Sequence, residues 1–214
     1  MIILGSRSPR RRELLSLLLP QQEIIVFPPP DEKEAGFLDV RTPAQIRARV
    51  TEIAHAKLLQ AAAAVPNRDW DLIVTADTVV VATEPDGQST VLGQPPRENW
   101  QTTVRNWFLR YYSDRAHEVV TAVCLRTRDG KERRLIEQTT IRFHPISEPL
   151  LNWYLSTGEP VGKAGGYGLQ GAGSVFVQTV IGSSSNVIGL PLEPLWKTLN
   201  DWGFTQTNSA SSAN

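Results

Sequence analysis

Residues 71–82 read D-L-I-V-T-A-D-T-V-V-V-A, and this stretch decides the fold class. So continuous an apolar run is the signature of a strand covered on both faces, as in sheets flanked by helices. Asp77 interrupts it. A carboxylate inside such a strand is at least partly buried, so it needs a partner or a chemical role. The competing reading is a structural aspartate capping a nearby loop.

Downstream, Pro85-Asp86-Gly87 is a turn and Val91-Leu92-Gly93 a return strand. A helix is expected over 98–112, with Trp107, Leu109 and Tyr111 among its apolar residues; its aromatics read as core rather than as a base-stacking platform. Strands over 119–126 and 135–143 form a hairpin through Arg128-Asp129-Gly130. Ser147-Glu148-Pro149 opens a helix that stops at Gly158. Residues 158–173, G-E-P-V-G-K-A-G-G-Y-G-L-Q-G-A-G, hold nearly half of the 15 glycines but neither a Walker nor a Rossmann spacing. With Lys163, Tyr167 and Gln170 inside it, this segment suits a loop that brings backbone close to a ligand. A strand over 175–181, a closing helix over 192–202 and a frayed polar tail over 205–214 complete the C-terminal half.

Upstream, Thr42-Pro43-Ala44-Gln45 is a capping box with proline at the first helical position, so a helix runs to about Ala64. Its apolar stripe takes in Ile46, Val50, Ile53, Ala54, Leu58 and Ala61. Lys57 falls within that stripe. Either it snorkels outward or it points into a cleft holding something negative. A strand over 23–27 ends at Pro28-Pro29-Pro30, and Asp31-Glu32 follows on the loop. Paired acids there can bind a metal or activate water, although surface acids are the common case.

At the start, Ile2-Ile3-Leu4 leads into Ser6-Arg7-Ser8-Pro9-Arg10-Arg11-Arg12 and a leucine-rich helix. Ser8 is a natural N-cap and Pro9 suits the first helical position. The arginines then crowd the positive end of the helix dipole, a conflict that a bound anion resolves. A strand–loop–helix of this kind suggests a phosphate site. A solvated basic arm, a nuclear-import patch or a nucleic-acid contact are the competing readings.

The bulk properties narrow these choices. The chain has 214 residues, 41% hydrophobic and 21% charged, with 22 basic and 22 acidic residues. That is an ordinary globular composition, with no strongly basic surface for nucleic acid. Cys124 is the only cysteine, which excludes a disulfide framework and argues against zinc. No run is long enough to span a membrane, and the leucine run lacks a signal-peptide cleavage pattern, so a cytoplasmic protein with no membrane partner is expected. Strands alternate with helices until the hairpin intervenes, which implies α/β with a mixed sheet in two lobes over residues 1–204.

Seven segments together resemble the Maf family of nucleoside triphosphate pyrophosphatases. They are S-R-S-P-R-R-R-E-L-L (6–15), D-E (31–32), I-A-H-A-K (53–57), T-A-D-T-V-V (75–80), H-E-V-V-T (117–121), G-K-A-G-G-Y-G-L-Q-G (162–171) and N-V-I-G-L-P-L (186–192). The resemblance implies a central mixed β-sheet between two α/β lobes with a substrate cleft, an architecture shared with inosine triphosphate pyrophosphatases. It also implies a homodimer and hydrolysis of a nucleoside triphosphate to the monophosphate and pyrophosphate.

By the same resemblance, Asp77 is the general base, and Glu32 and Asp77 hold a divalent metal cation such as Mg²⁺, Mn²⁺ or Co²⁺. Lys57 joins them as a catalytic residue. Arg10, Arg11, Arg12, Lys57 and Lys163 supply positive charge to the triphosphate, and Ser6 and Ser8 bond its oxygens. Arg10, Thr78 and Gln170 match the subgroup acting on dTTP and UTP, whereas the 7-methyl-GTP subgroup carries Trp and Glu at the first two of these positions.

This chain departs from the family pattern at Gln94, where Lys is usual, at Gly162 in place of Asp, and at Ser184 and Ser185 in place of tyrosines. Loss of the lysine leaves a binding-only regulator of cell division or septum formation as the alternative to an enzyme.

Overall fold

The computed structural model describes residues 1–28, 36–65 and 69–205. Among these, seven strands form one mixed sheet in the order β2-β1-β3-β5-β6-β7, with β4 also paired to β3. The strands are β1 (Ile2–Leu4), β2 (Ile24–Val26), β3 (Leu72–Thr83), β4 (Ser89–Leu92), β5 (Ala116–Thr127), β6 (Glu132–Phe143) and β7 (Val177–Ile181). β2, β1 and β3 run parallel, while β4, β5, β6 and β7 each join antiparallel.

β3 organises the molecule. One of its edges pairs with β5 from Leu72 to Val81. The other edge is divided: β1 pairs with residues 72–74 and β4 with residues 80–83. Among the described residues no strand covers the interval 75–79 on that edge, so the sheet forks there, with Asp77 in the fork. β1 ends where it does because the chain turns away at Gly5. A Cβ on Gly5 would stand 2.6 Å from Thr75 Cγ2, so glycine leaves the room that the Thr75 side chain fills against the turn.

Helices cover both faces of the sheet. α2 (Pro43–Ala64) starts with the capping box at Thr42 and Gln45 and buries Ile46, Val50, Ile53, Ala54, Leu58 and Ala61, the full stripe read from the sequence. These residues pack on Ile73, Val79 and Val81 of β3 and on Val120, Ala122 and Cys124 of β5. On the opposite face, α1 (Pro9–Leu18) and α6 (Leu192–Asp201) bury Leu14, Leu15, Leu195 and Leu199 against Leu72, Val74 and Ala76. Farther along that face, α3 (Trp100–Trp107) and α4 (Glu148–Ser156) enclose an aromatic core of Phe108, Tyr112, Phe143, Tyr154, Tyr167 and Phe176. The core therefore has one layer under α2 and two packing regions on the other face. The fork lies at the edge of β3 where those two regions separate.

Several elements differ from the sequence reading. The helix expected over 98–112 is α3 followed by a π-turn, Phe108–Tyr112, closed by an i→i+5 bond from Ser113 N to the Phe108 carbonyl (2.9 Å). The wider turn keeps Val104, Phe108 and Tyr112 on one buried face, while Trp107 and Tyr111 are half-buried and Leu109 is 43% exposed. The last strand begins at Val177 rather than 175, because residues 172–176 form a 3₁₀ turn. Finally, a short helix, α5 (Ser184–Ile188), stands where no element is evident from composition, capped by Ser183. The hairpin strands are also longer than their apolar cores suggested, since β6 has one largely solvated face.

Candidate active site

A cleft of about 840 Å³ opens at the fork. Its walls come from the β1–α1 turn, residues 77–80 of β3, residues 91–97 in and after β4, the glycine-rich segment, and the end of α5. Asp77 is 8% exposed at the centre. Side chains alternate along β3, so Asp77 shares the α2 face with Thr75 and Val79, and Lys57 of α2 meets it. Lys57 Nζ lies 2.7 Å from Asp77 Oδ1, so the lysine in the apolar stripe points inward to the acid in the apolar strand.

The α1 lip is built around its N-cap. Ser8 Oγ accepts from Arg11 N (3.4 Å), and Pro9 occupies the first turn, as its sequence predicts. Arg11 then reaches under the lip. Its Nε donates to the Gly189 carbonyl (2.9 Å), its Nη1 to the Ala76 carbonyl (2.9 Å) and Ser6 Oγ (3.1 Å), and its Nη2 to Thr78 Oγ1 (2.9 Å). Arg11 thus ties α1, β3 and α5 together while placing its charge in the floor of the cleft. Thr78 Oγ1 also shares a hydrogen bond with Thr121 Oγ1 (2.9 Å). Ser6 is buried and takes a second bond from Ser8 N (3.3 Å).

Arg10 lies half-buried in the cleft wall. Arg12, two residues further round the helix, is exposed and outside the cleft lining, because a helix turns successive side chains by about 100°. Glu32 and Asp31 lie outside the described residues.

Across the cleft, the glycine-rich segment is held by Glu159. Its carboxylate accepts from Ala172 N and from Gly173 N (3.1 Å). Lys163 Nζ donates to the Glu159 carbonyl (2.5 Å). Burial lowers the Lys163 pKa; the Glu159 carboxylate opposes that shift, and the nearby Arg10 charge adds to it. Gln170 is exposed on the same wall.

Two further cations line the cleft that the sequence did not single out, Arg7 and Arg97. Nothing local marks Arg97; only the path of the chain after β4 brings it there. Among the described lining residues six cations (Arg7, Arg10, Arg11, Lys57, Arg97 and Lys163) accompany one acid, Asp77. Concentrated positive potential of this kind in a concave site attracts a polyanion. Among the described residues there is no group of three or more His, Cys, Asp or Glu side chains placed to hold a metal by themselves, and no helix is long and apolar enough to cross a membrane.

The fold and cleft agree with comparison to known sequences. A family model described as "Maf-like protein" matches residues 1–202. A dTTP/UTP pyrophosphatase of Pyrococcus abyssi is 38% identical over 193 residues, which cover 90% of this chain and 91% of that one. One from an Anaeromyxobacter species is 39% identical over 195 residues, covering 89% and 84% respectively. A third, from Symbiobacterium thermophilum, is 35% identical over 203 residues, covering 95% and 94%. With the match running from β1 through α6 and taking in every wall of the forked cleft, the chain belongs to the Maf family.

Proposed function

We propose that this protein hydrolyses dTTP and UTP to the nucleoside monophosphate and pyrophosphate. The observation that carries the reading is the Lys57–Asp77 pair at the bottom of a cation-lined cleft. The names of the relatives accord with it and favour hydrolysis over a regulator that only binds nucleotide. Water attacks the α-phosphorus, and the bond to the oxygen bridging the α- and β-phosphates breaks. Asp77 accepts the water's proton, and Lys57 holds the carboxylate in place for that task. Arg10 and Lys163 face the charge that accumulates on departing pyrophosphate, where fixed cations act through electrostatic preorganisation. Arg11 orients rather than binds: its bonds set the position of Ser6, Thr78 and the α1 lip.

A divalent cation fits this donor set. Magnesium sites beside phosphates use one or two carboxylates, with substrate oxygens and water completing the shell. Asp77 supplies one carboxylate within the cleft, and Glu32 is the candidate for a second. When bound, such an ion supplies positive charge to the phosphates and lowers the pKa of bound water.

Pyrimidine choice rests on Gln170, whose amide offers both a donor and an acceptor to a base edge. Thr78 acts through its bonds to Arg11 and Thr121, and Arg10 adds charge. A homodimer in the cytoplasm, free of nucleic acid and membrane, completes the reading, and light scattering tests its stoichiometry.

The test is pyrophosphate release from dTTP, UTP, CTP, GTP, ITP and 7-methyl-GTP with Mg²⁺ or Mn²⁺. Release should be fastest from dTTP and UTP. Best turnover of 7-methyl-GTP would overturn the pyrimidine assignment, and no turnover of any nucleotide would overturn the hydrolase.

A further inference from the structure

We propose that Arg97 is a substrate-binding residue that clasps the polyphosphate from the β4 lip, opposite Arg10 on the α1 lip. The proposal rests on the nucleotide-hydrolase reading and adds a specific contact to it. β1 and β4 occupy the two ends of the same β3 edge, so residues following each strand face one another across residues 75–79. Arg10 follows β1, Arg97 follows β4, and both line the cleft.

Three of the other cleft cations are engaged by described residues. Arg11 bonds Ser6, Ala76, Thr78 and Gly189, Lys57 pairs with Asp77, and Lys163 bonds the Glu159 carbonyl. Arg10 and Arg97 make no hydrogen bond or ion pair to described residues. Elsewhere the exposed arginines that pair with acids, such as Arg110 with Glu84 and Arg142 with Asp114, show what this chain does with cations that need only a surface partner.

The lip beneath Arg97 is stiff. Gly165 N donates to the Gly93 carbonyl (2.9 Å), which fixes the start of the lip to the glycine-rich wall. Pro95 is buried and Pro96 follows it, so two residues have φ set by their rings. Gln94, also in the cleft wall, is neutral, which leaves Arg97 as the charge of this lip. A guanidinium presents a planar fork of donors that matches two phosphate oxygens at once, unlike a lysine. A polyphosphate bound between the lips therefore meets Arg10 on one side and Arg97 on the other.

The test compares Arg97→Ala and Arg97→Lys with Arg133→Ala, an exposed arginine on β6 outside the cleft. Binding of inorganic pyrophosphate is measured by calorimetry and KM for dTTP by pyrophosphate release. Arg97→Ala should weaken pyrophosphate binding about tenfold, with a comparable rise in KM, as for loss of one charge-assisted contact. Arg97→Lys should recover part of that loss, and Arg133→Ala should match the parent. Pyrophosphate binding by Arg97→Ala within about twofold of the parent would overturn the proposal, as would an equal loss in Arg133→Ala. If the parent releases no pyrophosphate from any nucleotide but Arg97→Ala still weakens pyrophosphate binding, the hydrolase reading falls and the anion contact stands.

Discussion

Lys57 on α2 and Asp77 on β3 meet at 2.7 Å, with side chains only 16% and 11% exposed. A lysine in a buried stripe and an acid in a buried strand each look anomalous; together they account for one another, because a buried charge needs a partner.

The Asp77→Asn variant keeps an oxygen that can accept from Lys57 but no base. Its kcat should fall by about 10²–10⁴-fold, the usual contribution of a positioned general base. Its midpoint of thermal unfolding should also fall, by about 5–10 °C, since the mostly buried Lys57 charge loses its carboxylate while shape and one hydrogen bond remain. Pyrophosphate release and calorimetric melting on one preparation check both halves.

Neighbouring arginines should separate by stability. Arg11→Ala removes donors to two carbonyls and two hydroxyls in the partly buried floor, and is expected to destabilise by about 2–4 kcal/mol. Arg10→Ala breaks no bond to a described residue and should leave stability within about 0.5 kcal/mol while raising KM. Urea unfolding of the two variants distinguishes an internal tie from a ligand contact.

His117 makes a pH prediction. It is 2% exposed, its Nε2 shares a hydrogen bond with Tyr167 Oη (2.8 Å), and its Nδ1 has no partner among the described residues. Burial against Tyr112, Phe143 and Tyr167 lowers its pKa to about 3, so the folded protein holds it neutral. The unfolded chain takes up that proton at about 6.5. Stability from this group is therefore complete above pH 6.5 and declines as pH falls toward 3. The loss is about 2 kcal/mol by pH 5. Urea titrations between pH 7 and 5 should show a shallower slope in His117→Phe than in the parent.

Gly165 sits at φ +68°, and a Cβ there would lie 2.6 Å from Val80 Cγ2 and 2.7 Å from Tyr112 Oη. Gly165→Ala should cost about 2–3 kcal/mol, from strain and overpacking together. It should also raise KM, because the segment carries Lys163 and Gln170. A variant with parental KM and parental melting would contradict this account.

How far the sequence reached depends on how local each signal is. The α2 stripe was legible to the residue because helical period and burial coincide within one segment. Asp77 was legible as an interruption of an apolar run. The aromatics of the helix after β4 are core, as read, since Trp107 and Tyr111 pack on the cluster of Phe108 and Tyr112; what no periodicity showed is the i→i+5 turn that brings Tyr112 back onto the face of Val104 and Phe108 and leaves Leu109 outside. Arg11 was legible as a cation of the α1 lip, but its bonds to partners from Ser6 to Gly189 are encoded by no local pattern. α5 escaped notice because a five-residue helix opening on serines carries too little periodicity to detect. Its serines do have work in the structure: Ser185 Oγ accepts from Leu192 N and, with Ser183, bonds Glu193.

The forked edge of β3 also governs how the cleft can move. Among the described residues both lips hang from one unbroken strand, held along its far side by β5, with no linker between them to act as a hinge. Narrowing at the roots of the lips requires winding or unwinding β3, which its pairing with β5 from Leu72 to Val81 opposes. The gap between the lips is thus a property of strand pitch, present before a nucleotide arrives. A jaw of that kind selects ligands by length: pyrophosphate or a longer polyphosphate bridges it, and a single phosphate touches one side only.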